Sequence, residues 1–326
     1  MTCKKYSFLE HLVEGVLLAN QAFEIQYVNT AAIKMLKIDK MSSVLLEKGF
    51  KLLRECSEAC ATLKSSVVPT DDSMNYLEFV ATREEDGSFV LIVQDSSNEH
   101  KVLEMGKNFV SNASHELRTP ITIIKGFAET LQDLPELSRE MLSDITEKIV
   151  RNCRRMENLV QNLLLLADVE NVPVSHFHPT DLGSVIDNAI CMVHSLYPQA
   201  AICKEREQEV LLVQADSDLL ELAIRNLIDN AAKYSVSPVQ ISVVTRRKEE
   251  RVEVEIRDSG IGISEVDLGK IFERFYTVNK AHARRLGGAG LGLSLVKIII
   301  EKHNGTIHVA SQLGKGTSIK ATFPLI

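Results

Sequence analysis

The hydrophobic pattern divides the chain into a mixed first part, a helical middle and an alternating last part. From Phe8 to about Val93, extended runs such as GVLLAN and FEIQYVN are mixed with an amphipathic run, AAIKMLKI. The runs YLEFVAT and FVLIVQD flank the turn EEDG, and a strand, an Asp-Gly turn and a strand in this order predict a hairpin. We therefore predict a small mixed α/β domain over residues 6–97.

Apolar residues in the middle of the chain recur every three or four positions, which predicts two long helices joined by the segment DLPELS. The first stripe begins at Val102, and Pro120 falls within that helix, where we expect a kink. The second stripe consists of Met141, Ile145, Ile149, Cys153, Met156, Val160, Leu163 and Ala167. One hairpin cannot cover both stripes, so we predict that residues 98–170 form a four-helix bundle with a second copy, which makes the protein a homodimer.

The last part of the chain, residues 171–326, alternates helical and extended runs after the proline-bearing segment NVPVSHFHP. Helical periodicity marks LGSVIDNAICMVHS, SDLLELAIRNLIDNAAKYS and LGLSLVKIIIEKH. The extended runs are VQISVVTRR, RVEVEIRDS, GTIHVAS and TSIKATFPL. This order predicts a two-layer α/β sandwich, so the fold class is multi-domain, with an α/β domain, an antiparallel helical hairpin and an α/β sandwich.

Charge and hydropathy exclude several classes of function. Of 326 residues, 37 are Lys or Arg and 44 are Asp or Glu, which gives a net charge of −7 with the two signs intermixed. A nucleic-acid-binding protein usually carries a basic stripe, so we expect no nucleic acid partner. No apolar run approaches the ~18 residues of a membrane span, and we predict a cytoplasmic protein without a transmembrane segment.

The cysteines and most histidines indicate structural roles. The six cysteines are scattered without a Cys-x-x-Cys pair, which favours reduced thiols over disulfides or a zinc site. Cys56 and Cys60 share a predicted helix face and could bind one ligand, although we favour packing. The pairs His176/His178 and His303/His308 are interpreted as structural.

Three glycine-rich turns in the last part could bring backbone N–H groups close to a phosphate. They are Asp258-Ser-Gly260-Ile-Gly262, Gly287-Gly288-Ala-Gly290-Leu291-Gly292 and Gly314-Lys-Gly316-Thr317. Each alone could be an ordinary tight turn.

A predicted helix upstream of these turns has an unusually polar face. Asn226, Asn230 and Lys233 share that face, and Tyr234 follows them. Two amides and an ammonium suit a cation and phosphate oxygens, with helix packing as the alternative.

The order of these motifs resembles the sensor histidine kinases of two-component systems over about residues 100–326. The stretches similar to their N, G1, F and G2 boxes are Asn226–Asn230, Asp258–Gly262, Phe272-Glu-Arg274-Phe275-Tyr and Gly288–Gly292. Ser111-Asn-Ala-Ser-His115-Glu116-Leu-Arg-Thr119-Pro120 is similar to their phosphoacceptor H box. Several boxes in the family's order form a specific match, whereas one glycine string does not.

The resemblance implies ATP and Mg²⁺ as cofactors. Asp258 would accept a hydrogen bond from adenine, Asn230 would be the metal ligand, and Tyr234 would pack beside the nucleotide. Phosphate oxygens would meet Asn226, Lys233 and Arg274. The other implied nucleotide-binding residues are Gly260, Gly262, Phe272, Phe275, Gly288, Gly290, Leu291, Gly292 and Thr317.

The polar, basic segment between Phe275 and Gly290 would be a lid that closes over the triphosphate, with its lysine and arginines on the phosphates. The family often has aspartate and threonine where this chain has Asn279 and Ala289.

The H box implies phosphoryl transfer. His115 would attack the γ-phosphorus, Glu116 would accept or orient the proton on the other ring nitrogen, and Thr119 would position water for hydrolysis of a partner's phosphoaspartate. The phosphoryl group would pass to the receiver domain of a separate response regulator. Two alternatives remain: another ATPase of the same sandwich fold, of the chaperone, gyrase or mismatch-repair type, and a nonenzymatic signalling scaffold. HELRTP favours the kinase.

Residues 6–97 resemble PAS domains through EGVLLANQAFEIQYVNTAAIKML and the closing LIVQDSS. The resemblance implies a sensor domain. It has no flavin-type cysteine motif and no central histidine for haem, so a protein contact or a small molecule is the expected signal.

Overall fold

The structure is a computed structural model that describes residues 6–37, 44–59, 61–67, 76–133, 138–206, 210–236, 238–279 and 288–326. The chain forms two compact units, residues 1–110 and 111–326. Of the predictions above, those for Cys60, Gly287 and the basic residues of the lid fall outside the described residues. Among the described helices, none is both long and apolar enough to cross a membrane.

The first unit is an antiparallel sheet of five strands with two helices. A short 3₁₀ helix, Ser7–His11, precedes β1 (Gly15–Ala19), β2 (Ile25–Val28), α1 (Thr30–Leu36), α2 (Val44–Ala59), β3 (Leu63–Val67), β4 (Leu77–Arg83) and β5 (Phe89–Asp95). The strand order is β2-β1-β5-β4-β3. The predicted hairpin is confirmed, since β4 pairs with β5 around a turn in which Gly87 has a φ of 81°. Alternate residues of both strands face a core that includes Leu53, Phe79 and Leu91.

Asn29 is a fully buried polar residue that joins three segments of this unit. Its Oδ1 accepts hydrogen bonds from the N–H groups of Val16 and Ala32, each at 2.9 Å. Its Nδ2 donates to the carbonyl oxygens of Leu9 and Glu14, also at 2.9 Å. Because the amide makes all four bonds, its burial fixes the start of α1 without leaving an unsatisfied polar group.

Two long helices form the predicted hairpin. They are α3 (Ser97–Asp133), which crosses the boundary between the units, and α4 (Arg139–Asn171). Glu116 contacts Arg155, and Phe127 contacts Lys148, so α4 runs antiparallel to α3. Helix α3 continues through Pro120, which has no N–H to donate to the Glu116 carbonyl one turn earlier.

The buried face of α4 differs from the predicted stripe. Within one chain the buried residues of α4 are Ile145, Asn152, Leu159, Leu166 and Val169, and the first four recur at intervals of seven. Only Ile145 belongs to the predicted stripe, and Val160 is 43% exposed. Because this stripe is predicted to be covered by a second copy, its exposure in a single chain leaves the prediction untested. Four consecutive leucines, Leu163–Leu166, surround much of the helix and give it more than one apolar face.

The rest of the second unit is the predicted two-layer sandwich. After a 3₁₀ turn, Val174–His176, its elements are β6 (His178–Asp181), α5 (Leu182–Leu196), β7 (Ala201–Arg206), β8 (Leu212–Ala215), α6 (Ser217–Tyr234), β9 (Gln240–Lys248), β10 (Arg251–Asp258), α7 (Glu265–Leu268), α8 (Gly292–Lys302), β11 (Thr306–Gln312) and β12 (Gly316–Pro324). The main sheet has the order β11-β12-β10-β9-β7, and β6 pairs separately with β8.

Three helices pack on the main sheet: α5 on β7, α6 on β9 and β10, and α8 on β11 and β12. Helix α4 also packs against α8. The sequence patterns did not predict β6, β7, β8 or α7, which are six residues long or shorter.

Candidate functional site

A cavity of about 1100 Å³ in the second unit collects most of the predicted nucleotide-binding residues. The predicted residues in its wall are Asn226, Asn230, Lys233, Tyr234, Asp258, Gly262, Gly288, Gly290, Leu291, Gly292 and Thr317. Four predicted positions lie outside the wall: Gly260, Phe272, Arg274 and Phe275. A cavity of this size, lined by both apolar and polar side chains, suits a small-molecule ligand that carries polar groups.

Asp258 ends β10 with its carboxylate half-buried. Its Oδ1 accepts hydrogen bonds from the N–H of Gly260 at 2.8 Å and the N–H of Thr317 at 3.3 Å. Burial raises the pKa of Asp258 above its ordinary value, although the two hydrogen bonds act in the opposite direction. The arrangement holds a carboxylate acceptor in the cavity wall, where it can select a ligand with an amino group.

The glycines beside Asp258 and before α8 have no room for a side chain. A Cβ at Gly260 would collide with the Tyr234 backbone, and one at Gly262, whose φ is 70°, with the Gln312 backbone. Gly290, at a φ of 72°, is similarly enclosed by the backbone of Phe275. Gly260 therefore shapes the turn without lining the cavity. These close approaches leave backbone surface in the wall, as a phosphate-bearing ligand requires.

Two of the predicted polar residues on α6 have partners in the protein. The Nδ2 of Asn226 donates to the Leu222 carbonyl oxygen at 2.9 Å. The Lys233 Nζ lies 2.5 Å from Oδ2 of Asp229. The Tyr197 hydroxyl donates to the other oxygen of this carboxylate at 3.0 Å. The Lys233 ammonium, which was predicted to contact phosphate, therefore forms an ion pair with Asp229 in the cavity wall.

Asp229 and Tyr197 were not predicted as site residues, although both line the cavity. Asp229 lies within Asn226–Asn230, the stretch similar to the N box, so its position in the sequence could have identified it as a site residue. Tyr197 follows α5, and only the packing of α5 on α6 brings it to the site. Burial, followed by the charge of Asp229, raises the pKa of Tyr197 far above its ordinary value, which keeps the hydroxyl a donor.

A backbone hydrogen bond joins the two ends of the segment predicted to be a lid. The Phe275 N–H donates to the Gly290 carbonyl oxygen at 2.8 Å, and Phe275 has a φ of 65°. The next residue, Tyr276, lines the cavity and donates from its hydroxyl to Asp267 at 2.5 Å. Phe272 is half-buried and Arg274 is exposed, both off the wall. Lys280, Arg284 and Arg285, the predicted basic residues of the lid, lie outside the described residues.

The predicted phosphoacceptor residues lie on α3. His115 is exposed, and the hydroxyl of Thr119 donates to the His115 carbonyl oxygen at 3.3 Å. Glu116 is half-buried, and its Oε2 accepts a hydrogen bond from Nη2 of Arg155 at 2.8 Å. Arg155 also lines the cavity. Arg155 was not predicted, because its helix carries no motif that distinguishes it from the neighbouring Arg154.

The donor set fits a nucleotide-bound magnesium ion better than a protein-only metal site. Among the described residues, no cluster of three or more His, Cys, Asp or Glu side chains could hold a metal ion. Magnesium commonly takes one or two protein ligands and completes its shell with phosphates and water. The amide of Asn230, in the wall of a cavity open to a phosphate ligand, suits that role.

Two family models match separate parts of residues 107–326. The His Kinase A (phospho-acceptor) domain matches residues 107–172. The histidine kinase-, DNA gyrase B- and HSP90-like ATPase matches residues 215–326. The first match contains the exposed histidine, and the second contains most of the cavity wall.

Curated relatives match nearly the whole chain. Sensor protein kinase WalK of Staphylococcus epidermidis is 30% identical over 332 residues, which cover 98% of this chain and 54% of WalK. Sensor protein SrrB of Staphylococcus aureus is 31% identical over 335 residues, which cover 98% of this chain and 55% of SrrB. The chain thus spans a little over half the length of these relatives.

Solved structures show the same fold. Acinetobacter baumannii histidine kinase AdeS aligns with a TM-score of 0.52 at 25% identity and covers 65% of this chain and 98% of its own. Histidine kinase ThkA, solved in complex with response regulator protein TrrA, aligns over 98% of both chains with a TM-score of 0.56 at 19% identity.

Proposed function

Because this chain belongs to the sensor histidine kinases of two-component systems, we propose that it transfers the γ-phosphoryl group of ATP to His115. The main support is that one compact unit contains both an exposed histidine on a helical hairpin and a cavity built from the nucleotide motifs. Neither feature alone would imply histidine phosphorylation. An ATP-consuming domain works where ATP is available, so we propose a cytoplasmic site of action.

Different residues of the cavity bind the adenine, the phosphates and the magnesium ion of the nucleotide. Asp258 accepts a hydrogen bond from the adenine amino group, which selects adenine over guanine. The glycine turns let the backbone approach the phosphates, and Lys233 and Asn226 provide donors. A magnesium ion with Asn230 as its protein ligand would neutralise part of the phosphate charge.

The transfer uses two neighbouring residues of α3. A ring nitrogen of His115 forms a bond to the γ-phosphorus while the bond to the β,γ-bridging oxygen breaks, and that electron pair leaves with ADP. Glu116 orients and then accepts the proton of the other ring nitrogen, so that the histidine does not remain cationic.

The His Kinase A match favours this function over the two alternatives. An ATPase of the same sandwich fold shares the cavity motifs but needs no phosphoacceptor histidine on a helical hairpin. A nonenzymatic scaffold would not need to retain Asn230, Asp258 and the glycine turns together.

The wider assembly follows from the same proposal. Residues 6–97 are a PAS-like sensor domain, residues 98–170 the dimerisation and phosphotransfer hairpin, and residues 171–326 the ATP-binding domain. The five-stranded sheet with two helices supports the first assignment. The protein forms a homodimer through the hairpin and passes its phosphoryl group to an aspartate of a response regulator, whose phosphoaspartate it also hydrolyses.

The direct test is labelling with γ-labelled ATP. We expect label that is stable to alkali and labile to acid, as a phosphohistidine is, and located at His115. His115→Gln should abolish labelling but bind nucleotide normally, because acceptor and cavity lie on different elements. Asn230→Ala should weaken magnesium-nucleotide binding and labelling together. Histidine-type labelling that persists in His115→Gln would show the assignment to be wrong.

A further inference from the structure

Arg155 connects the phosphoacceptor helix with the nucleotide cavity. Its Nη2 donates a hydrogen bond to Oε2 of Glu116 at 2.8 Å. Glu116 directly follows His115 in the sequence. The same side chain lines the cavity that contains Asn230 and Lys233. The side chains of Arg155 and Glu116 are only 13% and 22% exposed, so solvent screens their contact less than that of a surface pair.

The chemistry of a guanidinium suits this position. It is planar, remains charged and has five N–H donors, so it can bind a carboxylate with one edge and a phosphate with another. Among the described cavity residues of α4, Arg155 is the only cation; the others are Asn158, Leu159, Gln161, Asn162 and Leu165.

Phosphoryl transfer to His115 brings two negative groups together. The γ-phosphoryl group must approach a histidine whose neighbour, Glu116, is a carboxylate, and like charges at short range oppose that approach. A guanidinium between the two groups offsets this repulsion and stabilises the charge on the phosphoryl oxygens during transfer.

We propose that Arg155 contacts the γ-phosphoryl group during transfer while it holds Glu116 beside His115. This inference rests on the proposed autokinase function and adds a residue of α4 to it. Arg155 keeps its protons throughout. The new bond joins a ring nitrogen of His115 to phosphorus, the electron pair of the broken bond leaves with ADP, and the ring proton passes to Glu116.

The test compares variants of the full chain. Arg155→Ala should lower the labelling rate at saturating ATP about 100-fold, the usual loss when a donor to transition-state charge is removed. It should weaken binding of a nonhydrolysable ATP analogue but leave ADP binding within about twofold, because only the former has a γ-phosphoryl group. Arg155→Lys, which keeps the charge but not the planar donors, should still label at least about tenfold slower.

Arg154→Ala is the matched control, since Arg154 is exposed on the same helix and does not line the cavity. It should label at the parent rate. Circular dichroism and ADP binding verify that each variant is folded, and Arg155→Lys decides the question should Arg155→Ala not fold.

A double variant separates the phosphate contact from an effect exerted only through Glu116. Arg155→Ala in a Glu116→Ala background should label more slowly than Glu116→Ala alone. Equal rates, or parent-rate labelling by Arg155→Ala or Arg155→Lys, would overturn the inference. These outcomes leave the autokinase function intact, whereas a parent chain that does not label would refute the function itself.

Discussion

The hydroxyl of Thr119 is placed to act in the hydrolysis of a receiver's phosphoaspartate but not in phosphoryl transfer to His115. It lies one helical turn after His115 and donates its proton to the His115 carbonyl oxygen. A threonine bonded in this way still offers its oxygen as an acceptor, so it can orient a water molecule. Hydrolysis of a receiver's phosphoaspartate needs such a water, whereas transfer to His115 does not.

Thr119→Ala should therefore retain appreciable labelling of His115 but dephosphorylate the partner receiver at least about tenfold more slowly, equivalent to ~1.4 kcal/mol of barrier. The measurement is the loss of label from a purified phosphorylated receiver domain. Thr122→Ala is the matched control, because the Thr122 hydroxyl bonds the Arg118 carbonyl oxygen in the same manner. Parent-rate dephosphorylation by the Thr119 variant would limit the protein to a kinase.

At the scale of elements, the hairpin leaves an unusual amount of apolar surface uncovered in one chain. On α3 and α4 the exposed large apolar residues of the second unit are Ile121, Ile123, Met141, Leu142, Val150, Val160 and Leu164. Single exposed apolar residues are normal, but so many on two adjacent helices indicate a partner surface. A second hairpin would cover them and complete the four-helix bundle.

Two leucines of α4 should separate association from folding. Leu164 is 60% exposed and Leu159 only 3% exposed in a single chain. Leu164→Lys should weaken dimerisation by a few kcal/mol, since a charge would enter the bundle, and leave each chain folded. Leu159→Lys should instead unfold the hairpin. Sedimentation of residues 98–170 at tens of micromolar measures both effects, and a monomeric parent fragment would contradict the bundle.

The elements that the sequence predicted are those whose pattern repeats over many residues. The strands β9 and β10, of nine and eight residues, and the helices α5, α6 and α8 have clear periodicity. Short polar strands such as β6 have no clear periodicity. The four residues of β6, His178-Pro-Thr-Asp181, do not alternate between apolar and polar side chains. The contacts of Arg155 and Tyr197 arise from helix packing, to which local sequence gives no signal.

At the scale of the whole second unit, three buried ionisable groups lower its stability in acid. Burial lowers the pKa of His303, whose Nε2 accepts the Asp216 N–H at 3.1 Å and therefore favours a neutral ring. A hydrogen bond from Lys248 lowers the pKa of Glu253. Burial alone would raise the pKa of Glu255, but bonds from Arg257 and Ser318 outweigh it. All three groups make the folded state bind fewer protons than the unfolded chain.

Stability should therefore fall as the pH falls, in two stages. Unfolded histidine titrates near pH 6.5, so His303 contributes fully above about pH 6.5, and its contribution is lost as the pH falls towards its lowered folded pKa. The slope is at most about 1.4 kcal/mol per pH unit for one proton. Glu253 and Glu255 contribute fully above about pH 4.3, and their contribution to stability is lost as the pH falls below that value.

His303→Gln should flatten the first stage, measured as the urea midpoint of unfolding between pH 7.5 and 5.5. His308→Gln, at an exposed position on β11, should keep the parent slope. An unchanged slope in His303→Gln would assign the acid sensitivity to other groups.

The enclosed glycines of the turns beside Asp258 and before α8 also limit which substitutions could make the protein resistant to an inhibitor. At Gly260, Gly262, Gly290 and Gly316 any added side chain would begin closer than 3.0 Å to neighbouring backbone atoms, a separation that real Cβ atoms essentially never show. A compound that rests against these turns therefore meets a surface that point substitution can hardly reshape. Resistance would have to arise at side chains of the wall such as Tyr276 or Arg155, or through reduced uptake of the compound.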